Sequence, residues 1–371
     1  MKRWIIKFTL LLLCLCLFPV TKVYAAERES LEQFAGTDTL WQNIPAEVDE
    51  DTLRELLEEN DTGSFTQKIL KGILSLFSIG IRSGIGLFAK LCALLLFSAI
   101  FRAVKKSFGF SGGENALDFL MLLSLSLICF SSLQDALALA SSALRSIHAF
   151  FLASLPITTV LLTLSGAPSS AATMAASMNF ALSAVSTVIS DYLAPLLNTL
   201  FAFSAANGIL DGGLSSLLSF LKKNIKTLCI LFFTLITASL AIQNALATAA
   251  DSVAMRSVRF AAGNFIPVVG SLVGESSKTL AAAFSSVKAK CGILCILVLL
   301  YVLLRPILFI AVQKIFLGFA GAVSEIVGET STQGFLKTLS ELLDLLMALL
   351  ICQSCYLIFY ITLFLTNRGG V

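Results

Sequence analysis

A chain of 371 residues that is 57% hydrophobic and only 13% charged lacks the polar surface of a water-soluble domain, where about a quarter of residues carry charge. Its mean hydropathy of +0.90 points to a bilayer as the solvent, and a net charge of +3 gives no reason to expect a nucleic-acid partner. A soluble globular enzyme is excluded on composition alone.

Residues 1–25 read as a signal peptide, with a basic start at Lys2, Arg3 and Lys7, an apolar core over 8–20 and a small-x-small pattern at Val23-Tyr24-Ala25. The core is shorter than the ~20 residues of a membrane span, which favours cleavage over an uncleaved anchor. Residues 26–64 form an acidic extracytoplasmic head. Twelve carboxylates between Glu27 and Asp61 face only Arg28 and Arg54 there, a net of −10. Within it, 49–60 predicts a short helix whose Leu53, Leu56 and Leu57 share one face, with Asp49, Glu50 and Asp51 at the end where the helix dipole favours negative charge. That stripe is expected to rest either on the protein's own membrane domain or on a partner.

Residues 65–371 read as a polytopic membrane domain. An amphipathic stretch over 65–81 is expected to lie along the interface before a first span at 84–103, with Gly80 and Gly84 allowing close helix approach. A glycine turn at 109–113 leads to a span at 116–133, an amphipathic helix at 136–151 bearing Arg145 and His148, and a short apolar piece at 152–164 containing Pro156. An Ala/Ser-rich helix over 169–190 is expected to break at Pro195, and 194–221 reads as a broken or re-entrant element. Firm spans follow at 226–247, 291–312 and 336–365, the last with an interfacial turn at Glu341 and Asp344. The fold class is therefore all-α, a polytopic transmembrane helix bundle of six to eight crossings. Basic clusters at Arg102/Lys105/Lys106, Lys222/Lys223/Lys226 and Lys278/Lys288/Lys290 predict cytoplasmic loops, which leaves the acidic head outside.

Catalytic parts are scarce. There is a single histidine, His148, and no HExxH or Gly-x-Ser-x-Gly pattern, so zinc and serine-triad chemistry lack their components. A Ser165/His148 dyad is the remaining hydrolytic option, against an interfacial role for His148. Cys352 and Cys355 have redox spacing but sit inside an apolar helix without an adjacent cation, and they read as two small apolar side chains in a packed helix; Cys291 and Cys295, four apart on one face, read the same way. No catalytic residue, cofactor or metal is assigned, and an enzyme is not expected.

Charges inside apolar segments are the better lead, because lipid cannot solvate them. They are Asp118, Asp191, Asp251, Arg256, Arg259, Glu275, Arg305 and Glu325, with Asp251 and Arg256 spaced to pair. The most unusual stretch, 259–275, interrupts an apolar run with Gly263, Asn264, Pro267, Gly270 and Gly274 before Glu275. It reads either as a pore-lining or gating element or as a tight hairpin packed in the bundle.

This Asn264-Phe-Ile-Pro-Val-Val-Gly270 core with Gly274, together with the order of signal, acidic head and polytopic domain, resembles the stage III sporulation protein AE family. The resemblance implies a subunit of the channel complex that mother cells build in the outer forespore membrane, a multi-pass localisation with the head extracytoplasmic, and other membrane subunits as partners. Whether copies of the chain also assemble with one another is left open, and a self-contained secondary transporter or a pure scaffold are the alternatives.

Overall fold

The computed structural model describes residues 42, 44, 45, 48 and 62–367, less 109–113, 210–212, 266–269 and 328–329; inside the helices the side chains of 62–71, 73, 79, 102, 105, 106, 108, 114–118, 190, 208, 209, 255, 258–265, 270–286, 330 and 331 also fall outside the described set. The expected signal peptide and the expected helix over 49–60, with Leu53, Leu56 and Leu57, lie outside the described residues. Of the head, Val48 is buried in the main apolar core and Ile44 packs against it.

The described chain is a bundle of long helices: α1 (Thr62–Phe108), α2 (Glu114–Leu164), α3 (Pro168–Thr187), a π-helical segment (Val188–Leu193), α4 (Ala194–Ile209), α5 (Ser215–Phe265), α6 (Gly270–Val327) and α7 (Thr330–Thr366). Six stretches are long and apolar enough to cross a bilayer, the π segment joining α3 to α4 as one of them.

Several expected breaks are absent. The amphipathic 65–81 stretch and the 84–103 span are one helix, α1, and the three pieces foreseen over 116–164 are one helix, α2. Around Pro156 the hydroxyls of Ser154, Thr158 and Thr159 donate to the carbonyls of Phe151, Ser154 and Leu155, which helps a helix tolerate proline in lipid. Pro195 does not break its helix either. It has no N–H for the carbonyl of Asp191, and the preceding turns widen so that the Ala194 N–H donates to Ile189 instead, a π-type bond that absorbs the defect. The 194–221 stretch is not re-entrant: α4 ends at Ile209, α5 begins at Ser215, and the Asn207 side chain accepts the Leu214 N–H at 2.8 Å across the turn. Glu341 and Asp344 make no turn, since α7 is continuous and each carboxylate pairs with a lysine.

Contacts fix the register. α6 and α7 are an antiparallel hairpin in which Lys288 donates to the Asn367 carbonyl, Gly292 lies under Leu365, Lys314 pairs with Asp344 and Gln333 bonds Glu325. α1 runs parallel to α6, with Gln313 donating to Ser83 at 3.1 Å and Phe88 stacked near Phe316 and Phe319. α5 and α7 are joined by Lys222–Glu341 at one end and by Thr248 donating to Asn367 at the other. Lys288 and Lys314 are thus at opposite ends of a segment of 26 residues on α6, about 39 Å long, and Lys226 and Asp251 bound one of about 38 Å on α5. Two polar layers bracket a slab that accommodates a hydrocarbon core of about 30 Å. Between them α5 presents Leu228, Leu231, Leu235, Ile242 and Leu246 outward. Beyond the Lys314 layer the surface is apolar again, with Leu96, Phe97 and Ile100 of α1 and Leu120, Leu123 and Leu127 of α2 exposed.

The same register corrects the grouping of basic clusters. Lys288 and Lys290 stand at the end of the slab opposite Lys222 and Lys226, because a full crossing separates α5's start from α6's start, so the three clusters do not share one side.

At the Lys288 end a buried polar cluster ties four elements. Asn367 donates to Asn244 at 2.7 Å and toward the Met174 sulfur at 3.4 Å, and accepts from Thr248 at 3.1 Å. Beside it, α2 closes with a left-handed Gly166 (φ 83°), the Ala167 N–H returning to Leu162 and the Gly166 N–H to Thr163, a Schellman stop. Pro168 then starts α3 with no cap of its own. Asp251 of α5 supplies one, accepting the Ser169 and Ser170 N–H groups at 2.8 Å each and placing its charge at the positive end of α3.

Two stability effects follow. Asp251→Ala orphans two buried donors and is expected to cost about 1–3 kcal/mol, read as a lower thermal midpoint of the detergent-solubilised protein; an unchanged midpoint refutes the capping role. At Gly84 a Cβ would lie 2.3 Å from the Phe316 ring, whereas nothing lies within 4 Å of one at Gly72. Gly84→Ala should therefore destabilise by about 1–3 kcal/mol in the same assay while Gly72→Ala is neutral or stabilising.

Candidate functional site

The site is built from the charges that the bundle leaves inside the slab. α1 and α2 both pack on α6, and between them runs a groove floored by α6 with a cavity of about 590 Å³, lined by Ser83 and Gly80 of α1, Asp135, Ser142 and Arg145 of α2, and Arg305 of α6. Asp135, Arg145 and Arg305 are exposed, and none of the three makes an ion pair among the described residues. Their depth follows from the register. Arg305 is nine residues from Lys314, about 14 Å inside that layer. Arg145 is thirteen residues beyond Ser132, whose hydroxyl bonds Gln313 at 3.2 Å, which sets it about 20 Å inside, near the middle of the slab. Further along α2, Phe151 meets Tyr360 of α7 with ring centroids 6.5 Å apart, in keeping with that depth.

A ring of polar links holds the groove's lower wall. Gln313, buried on α6, bridges Ser132 of α2 and Ser83 of α1; Gln134 donates to Asn198 of α4 at 2.8 Å; Lys314–Asp344 and Lys222–Glu341 bind α6 and α5 to α7. Gln134 is thus turned into the bundle and its neighbour Asp135 out to the groove.

The other expected residues are dispersed. Asp251 caps α3 and does not pair with Arg256. Glu325 is bonded by Gln333 at 2.9 Å near the surface. Asp191 is exposed in the π segment. Asn264 and Arg259 fall in the last turns of α5, Gly270, Gly274 and Glu275 in the first turns of α6, and Pro267 outside the described residues, as do these residues' side chains; the 259–275 stretch is where the chain turns between two spans. Asp118 has an undescribed side chain. Ser165 and His148 are not a dyad, being seventeen residues apart along α2 and its end, about 25 Å, with the Ser165 hydroxyl donated to Leu161 at 2.6 Å. The seven described cysteines are free, and among the described residues no group of three or more His, Cys, Asp or Glu gathers as a metal site.

Sequence reasoning missed Asp135 and Gln313. Splitting α2 at 133–136 put Asp135 in a loop; read as one helix, an acid ten residues before Arg145 would have stood out.

Comparison with known proteins agrees with this architecture. A family model described as Stage III sporulation protein AE matches residues 49–367. The chain is also similar to the Stage III sporulation protein AE of Bacillus subtilis (strain 168), 24% identical over 313 residues that cover 84% of this chain and 78% of that protein. No solved structure matches. Since the family match runs from the acidic head to the end of α7, the chain is a multi-pass membrane protein that belongs to the stage III sporulation protein AE family, with a role in sporulation.

Proposed function

We propose that the protein is a membrane subunit of a multi-protein channel or secretion-like complex linking mother cell and forespore, residing in the mother-cell membrane around the forespore with its acidic head extracytoplasmic and needed for late forespore development. The observation that carries this reading is the groove: Arg145, Arg305 and Asp135 stand exposed at bilayer depth without ion pairs among the described residues. Exposure of such groups to lipid is expensive, so the groove is placed to face water or another subunit. The long α1 and α2 helices frame it on the floor of α6, and the polar links at Gln313 and Lys314 keep its walls fixed. On this reading the 259–275 stretch and the Leu53/Leu56/Leu57 stripe of the head are contacts for other subunits of the complex.

A self-contained transporter would need a midplane binding site between related repeats, and the groove lies at one edge of the bundle. A pure scaffold makes a different forecast: neutral residues in the groove would serve as well. The test is a chromosomal Arg145→Ala/Arg305→Ala variant scored with a late forespore reporter, beside a deletion. The deletion should arrest after engulfment, and the double variant, at normal protein level, should lower the reporter by about tenfold. Full reporter activity in the double variant would favour the scaffold, and normal spores from the deletion would remove the protein from the complex altogether.

A further inference from the structure

Away from the groove, a second cleft holds a buried hydroxyl without a partner. It lies between α3 and α5 with α7 as its floor, has a volume of about 230 Å³, and is lined by Ser177 and Phe180 of α3, Ser239 and Gln243 of α5 and Tyr356 of α7; none of these lines the groove. Its depth follows from the polar layer at the Asn367 end. Ser177 is seven residues past Ser170, whose N–H Asp251 accepts, Gln243 is eight residues before Asp251, and Tyr356 is eleven before Asn367, so the cleft lies about 10–16 Å inside that layer. Its mouth is on the outside of the bundle. Phe180, Ser239 and Gln243 are exposed, and so are Leu235, Ile242 and Leu246 around them on α5. At that depth the mouth opens to lipid. Part of the polar capacity is used within the cleft: Ser177 donates to the side-chain carbonyl of Gln243, and the Gln243 amide donates one of its two N–H groups to Ser239 at 2.9 Å. Tyr356 is the exception. It is 1% exposed and its hydroxyl has no hydrogen-bond partner among the described residues, whereas a buried tyrosine O–H ordinarily finds one.

What the cleft has left to offer is donors, the Tyr356 O–H and an amide N–H, and no charged residue lines it. A matching ligand is therefore neutral, because an ion stripped of water there would go uncompensated, which excludes a phospholipid headgroup and a small anion. It brings an acceptor oxygen, and it arrives from the lipid side. The room is that of about eight waters, enough for one small ring. We propose that the cleft is a binding site for an isoprenoid quinone, with a ring carbonyl accepting from Tyr356 and Gln243, Phe180 beside the ring at the mouth, and the isoprenoid tail left among the lipid chains. A quinone is neutral, dissolves in the hydrocarbon core and carries carbonyls without a proton of their own, which is what unmatched donors require. Ordered water would satisfy the same donors, but the mouth gives onto lipid and not onto either polar layer. Diacylglycerol brings a hydroxyl whose own proton would need a further acceptor. The inference concerns a site apart from the groove and is independent of which complex the chain serves.

The test is binding of a radiolabelled short-tailed ubiquinone to the full-length protein in phosphatidylcholine nanodiscs. Wild type should bind it saturably. Tyr356→Phe deletes only the unpartnered hydroxyl, so it should weaken binding by about tenfold, the loss of one hydrogen bond, while the thermal midpoint of the ligand-free protein holds or rises. Ala176→Leu, at an exposed position that lines the cleft on α3, narrows the entrance and should weaken binding with the polar groups intact. Diacylglycerol should displace the probe poorly. Absence of saturable binding, as water alone in the cleft would give, an unchanged affinity in either variant, or displacement by diacylglycerol at equal concentration overturns the proposal. Any of those results leaves the sporulation reading standing, because that is scored separately by the deletion and the forespore reporter.

Discussion

Lipid offers no hydrogen bonds, so every polar group that enters the slab has to find its partner in protein, and this requirement organises the bundle. The partners come in two layers about 39 Å apart on α6. At one, Asn367 gathers Asn244, Thr248, Lys288 and Met174, and Asp251 reaches across to the bare start of α3. At the other, Gln313 joins three helices and two lysines are neutralised by Glu341 and Asp344. Between the layers the interior is mainly apolar, with α6 fully buried from Cys291 to Leu299. Dispersion packing supplies cohesion there but little register; the polar layers set which residue faces which.

The same requirement separates structural charge from charge held in reserve. Asp251, Lys222, Lys314, Glu341 and Asp344 have partners within the chain and serve to fix helices. Asp135, Arg145, Arg305 and Asp191 have no ion pair among the described residues, lie within or at the edge of the slab, and are exposed. A membrane protein keeps such groups where water, a permeating species or another subunit will meet them, which is why the groove, and not the cysteine pairs or His148, is the centre of the functional reading.

Helix continuity is the second consequence. α2 runs 51 residues and α6 58, about 77 and 87 Å, far more than a hydrocarbon core requires. Both contain a proline, and α3 is carried past a third by the π segment. Breaking these helices would release backbone groups into an apolar setting, a larger penalty than a strained turn. The continuation of α1 and α2 past the Lys314 layer exposes a second apolar band, so the protein presents more apolar height than one bilayer covers.

Much of this was legible in the sequence. Composition and hydropathy determined a polytopic all-α membrane protein and the 226–247, 291–312 and 336–365 spans, and they singled out Asp251, Arg305 and Asp191 as charges in apolar surroundings, because solvent preference is a property of residues and their order. The sequence also suggested the close approach at Gly84, where removal of a side chain is itself the signal. What only the tertiary structure decided was which polar group meets which. That Asp251 caps α3 and not Arg256, that Gln313 links α1 and α2, that Glu341 and Asp344 are neutralised within a straight helix, and that Asp135, Arg145 and Arg305 share one groove all depend on pairings between residues tens to hundreds of positions apart. Local patterns also overstated the breaks at Pro156 and Pro195, since whether a proline ends a helix in lipid depends on what neighbouring groups do with the freed carbonyl, and that is set by packing.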